Sequence, residues 1–261
     1  MNIIRFMGER SKIYRIGYWI LSFAAVLLLV LIMLTAVIRK KAVFGEFPLY
    51  AFTGDSLEIL MLPDQSEVWL NRNSKLYISD KFGKNQRNLI LEGEAYFEIT
   101  NHSGQPLHVT VGNNLITVSG SAFNLRHDPD GDVVLVVSRG QAAFSEKKII
   151  SNKVICSEGE RVEFLASSAD IRHMNNSNPN YMSWKTGVLV FEKTPLDEVC
   201  AVLSNHFNVQ VFSMVTEDFL LTGIFRNETL EEILRTLALI FDIEPKTESG
   251  GIILYQSSLG K

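Results

Sequence analysis

Cysteine is nearly absent. The 261 residues hold two, Cys156 and Cys200. Two are too few for the disulfide framework of a small secreted domain, and their separation fits no zinc pattern, so both read as small apolar fillers. Histidine is sparse as well, and His102, His108, His127, His173 and His206 include no pair at metal-ligand spacing. No Gly-x-Ser-x-Gly, Gly-x-Gly-x-x-Gly or phosphate-loop pattern occurs. Catalysis is thus left without an assembled nucleophile, base, metal or cofactor cradle, and the expectation is a protein that is not an enzyme. Beyond Lys41 there is no basic block, and the formal net charge is −4. That balance argues against nucleic-acid binding by the large part of the chain.

What the chain does contain is one long uncharged run, IGYWILSFAAVLLLVLIMLTAVI, from Ile16 to Ile38, between Arg15 and Arg39-Lys40-Lys41. At about 1.5 Å per residue a helix of this length reaches roughly the 30 Å of a bilayer core and satisfies its own backbone there. A cleaved secretory signal has a shorter apolar region that ends at small residues, and this run ends in AVIRKK. The expectation is a single transmembrane helix over 16–38. A short cytoplasmic tail over 1–15 precedes it, and a tether over 39–57 containing Gly45, Pro48 and Gly54 follows. Basic residues flank both ends of the run, so the positive-inside rule leans only slightly toward a cytoplasmic N-terminus. The β-rich, turn-rich composition that follows suits an exported part, which places the C-terminal bulk outside the cytoplasm.

From 58 to 166 short segments rich in Val, Ile, Leu, Phe and Tyr recur between Gly, Asn, Asp and Ser, as in EVWL, KLYIS, LHVTV, NLITV, DVVLVV and RVEFL. No helical period intervenes, so this is read as a single all-β domain, sandwich or solenoid-like. In LEGEAYFEI, Leu91, Gly93, Ala95, Phe97 and Ile99 share one face of a strand, and Glu92, Glu94, Tyr96 and Glu98 the other, which is expected to be wet. Glu92, Glu94 and Glu98 could supply a carboxylate pair for glycoside hydrolysis, but a solvated strand face accounts for them better. Asp128, Asp130 and Asp132 imitate the start of a calcium loop without its distal glutamate, and an Asp-Gly hairpin turn is the better account.

Residues 167–183 are rich in Ser and Asn without periodicity, and read as a linker. From 184 to 256 strand and helix alternate. Thr194-Pro195-Leu196-Asp197 suggests an N-cap with Pro at the first helical position, and Thr229 with Glu232 forms a capping-box pattern. Phe191, Leu196, Val199, Leu203, Phe207 and Val209 recur as Phe225, Leu230, Ile233, Leu237, Phe241 and Ile243, each pair 34 residues apart. Two β-α-β units make a small α+β domain with both helices on one face of a small sheet. Such a sheet leaves an edge short of partners. The segment Leu221, Thr222, Gly223, Ile224 and Phe225 is the candidate partner-binding strand, since Gly223 has no side chain to obstruct a second backbone. The alternative is that Gly223 marks a bulge.

In order and spacing, LPDQSEVWLNRNSKLYIS, LEGEAYFEI, ITVSGSAFNLR and VVSRGQAAF resemble the periplasmic domain of FecR-type regulators of extracytoplasmic-function sigma factors. Trp69, Asn71, Gly93, Glu94, Phe97, Phe123, Asn124 and Gly140 sit at that family's typical positions. WKTGVLVFEKTPLDEV and LTGIFRNETLEEIL are similar to the family's C-terminal domain, which resembles the short N-terminal domain of secretins and TonB-dependent receptors. The resemblance implies an inner-membrane anti-sigma factor type of regulator. Its periplasmic part would contact the signalling domain of a TonB-dependent outer-membrane transducer and pass a nutrient signal to a sigma factor. Family members usually hold the sigma factor with a long helical cytoplasmic domain, whereas about fifteen residues precede the apolar run here. The departure therefore falls on sigma-factor binding. The rival reading is a membrane-anchored periplasmic binding module for glycan or cell wall with no role in transcription.

Overall fold

The computed structural model describes residues 23, 25–31, 33, 47–84, 86–102, 104–147 and 153–257. Residues 1–48 and 49–261 form separate units. In the first, 25–31 are helical with exposed side chains, and most of the apolar run 16–38 lies outside the described residues. Among the described residues no helix is long and apolar enough to cross a membrane.

The second unit begins with thirteen strands: β1 (Leu49–Phe52), β2 (Glu58–Met61), β3 (Glu67–Leu70), β4 (Lys75–Ile78), β5 (Arg87–Glu98), β6 (Leu107–Val111), β7 (Asn114–Val118), β8 (Ala122–His127), β9 (Val133–Arg139), β10 (Gln141–Glu146), β11 (Val154–Ser157), β12 (Glu160–Leu165) and β13 (Asp170–Asn175). Two of them correct the reading above. β1 lies inside the expected tether and pairs with β4, and β13 lies inside the expected linker and pairs along its length with β12. Both are edge strands and mostly exposed: β13 (DIRHMN) carries polar residues as loops do, whereas β1 (LYAF) is four residues long and has no apolar-polar alternation to mark it.

β5 organises the sheets. Its first half pairs with β4 and, in parallel, with β6, whereas its second half pairs with β3 and β8. One side runs β1-β4-β5-β6-β7-β10-β11 and the other β2-β3-β5-β8-β9-β12-β13. The change of partners falls between Glu92, opposite Lys75, and Gly93, opposite His127. Gly93 has φ +90°, and a Cβ there would lie 2.4 Å from Ser74 Oγ, so only glycine fits the switch. Alternation along the strands then sends Leu76, Leu89, Val109, Ile116 and Phe144 from one side, and Val68, Phe97, Phe123, Leu135 and Val162 from the other, into one core. Asp128–Asp132 is the expected hairpin turn: Asp128 N–H bonds to Asp132 O and Gly131 N–H to Asp128 O, both at 2.9 Å.

The C-terminal part comprises α1 (Ser183–Thr186), β14 (Val188–Pro195), α2 (Leu196–Phe207), β15 (Val211–Ser213), β16 (Leu220–Arg226), α3 (Leu230–Phe241), β17 (Ile243–Glu248) and β18 (Gly251–Gln256). The repeat is real but builds two sheets rather than one. The leading strands of the two units pair as β14-β16, while the trailing strands β15 and β17 flank β18. Leu189 and Phe225 from the first sheet, Val211, Ile243 and Leu254 from the second, and Val199, Leu203, Ile233 and Leu237 from the helices all join one cluster. Each helix end repeats too, with Asn208 (φ 55°) and Asp242 (φ 50°) in the left-handed conformation that short polar side chains tolerate. The capping box forms as read: Thr229 Oγ1 accepts from Glu232 N–H, and Glu232 Oε2 accepts from Thr229 N–H at 2.8 Å. At α2 the reading shifts by one residue. Pro195 is the N-cap, and Thr194 stays in β14, where its hydroxyl accepts from Glu192 N–H at 3.1 Å.

Candidate functional site

The second half of β5 does not present a wet face. Glu94 lies between the end of β3 and β8, where Asn71 Nδ2 donates to its Oε2 and Asn124 Nδ2 to its Oε1, each at 2.8 Å. Its backbone is held as well, its N–H donating to Ser74 Oγ and its carbonyl accepting from Asn71 N–H, each at 2.9 Å. Burial pushes the Glu94 carboxyl above its ordinary range, partly offset by the two asparagine amides and the Arg126 guanidinium. Glu92, two residues away, is exposed and pairs with Lys75 at 3.2 Å. A strand face expected to be uniform is therefore split, because the C-terminal part packs over one portion of it. Tyr96 is buried against Trp184, with Trp69 beside them.

The contacts across this junction are polar and aromatic. Lys185 Nζ sits 3.8 Å from the centre of the Trp69 ring and 4.4 Å from that of Tyr96. On the sandwich side of the junction, Tyr96 Oη is held by Ser138 Oγ at 2.8 Å. Arg72 reaches across to the carbonyl of His206, the penultimate residue of α2, at 3.0 Å, and His206 Nδ1 is 3.0 Å from Ser183 Oγ. Burial, then the Arg72 cation, holds the His206 imidazole below its ordinary pKa. Between the two parts remains a cavity of about 60 Å³, lined by Glu94, Arg126, Tyr181, Trp184 and His206 among others. These residues supply no nucleophile with its base; the arrangement is a joint.

The predicted contact strand, Leu221 to Phe225, is the middle of β16. Leu221 and Phe225 are core residues, while Thr222 and Ile224 are exposed. Among the described residues β16 pairs with β14 alone. The outer edge of β14 is closed by a side chain: Asn180 Oδ1 accepts from Val190 N–H at 2.7 Å and its Nδ2 donates to Val190 O at 2.8 Å. Since Val190 turns both backbone groups away from β16, its antiparallel partner Ile224 turns its own outward on the far side, as does Thr222. That edge meets no further strand among the described residues. Gly223 has no atom within 4 Å of where a Cβ would stand, and the bulge lies on the facing strand at Glu192 and Lys193. Thr222 Oγ1 accepts the Lys193 N–H of that bulge at 2.9 Å.

Of the positions that carried the resemblance, Asn71, Glu94 and Asn124 meet as one hydrogen-bonded set. Phe97 and Phe123 stack in the core with centroids 4.9 Å apart, and Trp69 receives Lys185. Arg72, Asn180, Lys185 and His206 were not singled out in the sequence. Nothing in their local spacing marks them, because Arg72 and Lys185 act on residues far along the chain, and Asn180 and His206 on residues that only the fold brings beside them. In comparisons with known proteins, the FecR protein family model matches residues 51–143, and the model of the FecR C-terminal domain matches 188–254. Two crystal structures of a candidate anti-sigma factor from Parabacteroides distasonis have the same fold. Both have a TM-score of 0.62 at 22% identity; one comparison covers 81% of this chain and 100% of the other, the second 80% and 99%. No curated protein matches.

Proposed function

Because the chain belongs to the FecR family, we propose that it is a membrane-anchored regulator of an extracytoplasmic-function sigma factor. In this reading it is a single-pass inner-membrane protein whose β-sandwich and repeat domain lie in the periplasm, and it works without catalysis. The signalling domain of a TonB-dependent outer-membrane receptor docks on the repeat domain. The junction at Glu94 and Lys185 joins the docking domain to the sandwich, through which the signal travels on toward the membrane.

One observation carries the reading: among the described residues the outer edge of β16 meets no strand, while the opposite edge of its sheet is plugged by Asn180. An unpaired edge invites aggregation unless it has a partner, and strand addition gives affinity through backbone hydrogen bonds. Leu221 and Phe225 anchor the strand in the core, and Thr222, Gly223 and Ile224 present it.

The test is calorimetry of the purified full chain in detergent against the receptor's signalling domain. Ile224→Pro removes an outward N–H and leaves the hydroxyl of Thr222 on the bulge, so it should weaken binding at least about tenfold. A Thr222→Pro change would also disturb that bulge. Equal affinity for two equally folded proteins would move the interface elsewhere, with the exposed Leu239 and Ile240 on α3 as the next surface to probe. A glycan-binding module would show no receptor affinity and no change in sigma-dependent transcription on deletion.

A further inference from the structure

Three side chains of metal-binding type meet where the sandwich core opens to solvent. The Cys156 thiol, the Glu160 carboxylate and the His173 imidazole place their ligand atoms all within 4.8 Å of one another. Their spacing in the sequence gives no hint of this, and the fold supplies it in two steps. A tight turn with Gly159 at φ +80° carries the chain from β11, which pairs with β10 on one side, to β12, which pairs with β9 and β13 on the other, and so keeps Glu160 close to Cys156. On the next hairpin Glu160 pairs with Asn175, so His173, two residues along β13, is its diagonal neighbour on the same sheet face. That face is the one that sends Val162 and Phe164 inward.

The three donors are graded in depth. Cys156 is buried, whereas the side chains of His173 and Glu160 are 38% and 29% exposed, so an ion could reach the sulfur past the other two. The carboxylate is already oriented. Glu160 Oε2 accepts from Ser157 N–H at 2.7 Å and lies 2.9 Å from His173 Nε2, while Oε1 has neither bond. The Glu160–His173 pair alone would be an ordinary surface contact; the sulfur beside it makes the set unusual. Sulfur, nitrogen and a single carboxylate form a borderline-soft donor set, suited to zinc and its neighbours and unlike the all-oxygen shells of calcium or magnesium.

We propose that Cys156, Glu160 and His173 form a binding site for a zinc-class divalent ion, with the fourth tetrahedral position left to water. Such an ion would tie β11, β12 and β13 together at the end of the sandwich. It is a structural or sensory site and needs no catalytic step.

Cobalt(II) is the probe, added to the purified full chain under a non-thiol reductant. The expected result is a near-ultraviolet thiolate-to-cobalt charge-transfer band that saturates at one ion per chain and is displaced by zinc(II). Cys156→Ser should abolish the band, and His173→Gln, at a partly exposed position that should not affect folding, removes a direct ligand and should weaken cobalt binding by more than the roughly tenfold that losing a supporting partner of a ligand costs. Cys200→Ser should change nothing, since Cys200 is buried in the separate C-terminal core. Absence of the band, its survival in Cys156→Ser, its loss in Cys200→Ser, or unchanged affinity in His173→Gln would each overturn the proposal.

Discussion

Phe191 and Phe225 occupy equivalent places in the two repeat units, and their rings meet edge to face with centroids 5.9 Å apart at 71°. The repeat thus closes on itself at its own corresponding residues. A double-mutant cycle with Phe191→Leu and Phe225→Leu should give a coupling of about 0.5–1.5 kcal/mol in denaturant unfolding, the typical range for an aromatic pair beyond its burial. Additive losses would mean that the rings only fill space.

The helices of the repeat differ sharply by face. Leu237 is fully buried and Leu239 is 82% exposed. Leu237→Ala should cost about 2–5 kcal/mol through lost transfer energy and a cavity. Leu239→Ala should stay within about 0.5 kcal/mol. Chemical denaturation of the two variants side by side checks both.

Asp64 and Arg87 form an ion pair that turn chemistry did not foretell, with Arg87 Nε donating to Asp64 Oδ2 at 2.8 Å. The two side chains are 4% and 1% exposed, and Arg87 also donates to the carbonyls of Thr100 and Gln105. Asp64→Ala leaves a buried guanidinium without its counter-charge and should cost about 3–5 kcal/mol. Arg87→Met with Asp64→Leu together removes both charges but strands the Thr100 and Gln105 carbonyls and the Ser66 N–H that donates to Asp64, so it should recover only part of that loss.

Glu94 makes stability pH-dependent in a defined direction. Its folded pKa lies above the ordinary 4.5, mainly through burial, so the folded state binds the proton more tightly than the unfolded one. The contribution is full below the unfolded value and is lost as pH rises through the folded value. Glu94→Gln should remove this fall, which comparing unfolding midpoints from pH 4 upward would reveal. Asn124 Oδ1 is buried without a partner and can accept from the new amide if Asn124 flips. Glu94→Ala, which strands both asparagine amides, should cost about 1–3 kcal/mol.

The junction should loosen when its cation is removed. Lys185→Met keeps the length of the side chain but not the charge over Trp69 and Tyr96, and should cost about 0.5–2 kcal/mol. Limited proteolysis between the sandwich and the repeat should accelerate in that variant, whereas a protease profile identical to wild type would show that burial around Trp184 holds the joint unaided.

Local order was legible. Period-two strands, the Asp-Gly turn at Asp128 to Asp132, the Thr229 capping box and the 34-residue repeat each depend on residues close in the chain, or on a pattern written twice. Propensity and turn chemistry act at that range, so the sequence alone could place them. The environment of Glu94 could not be read in the same way. The alternation that sets Glu92, Glu94 and Tyr96 on one side of β5 says nothing about what covers that side. Desolvation is decided by Trp184, Tyr181 and α2 arriving from much later in the chain. The plugging of β14 by Asn180 and the meeting of Cys156, Glu160 and His173 join residues nearer in the chain, but they too depend on how the intervening turns and strand pairing place the side chains. Side chains that look like linker polarity or surface charge in the sequence become an edge cap and a donor cluster once strand pairing fixes their neighbours, because hydrogen bonding and burial depend on distance in space.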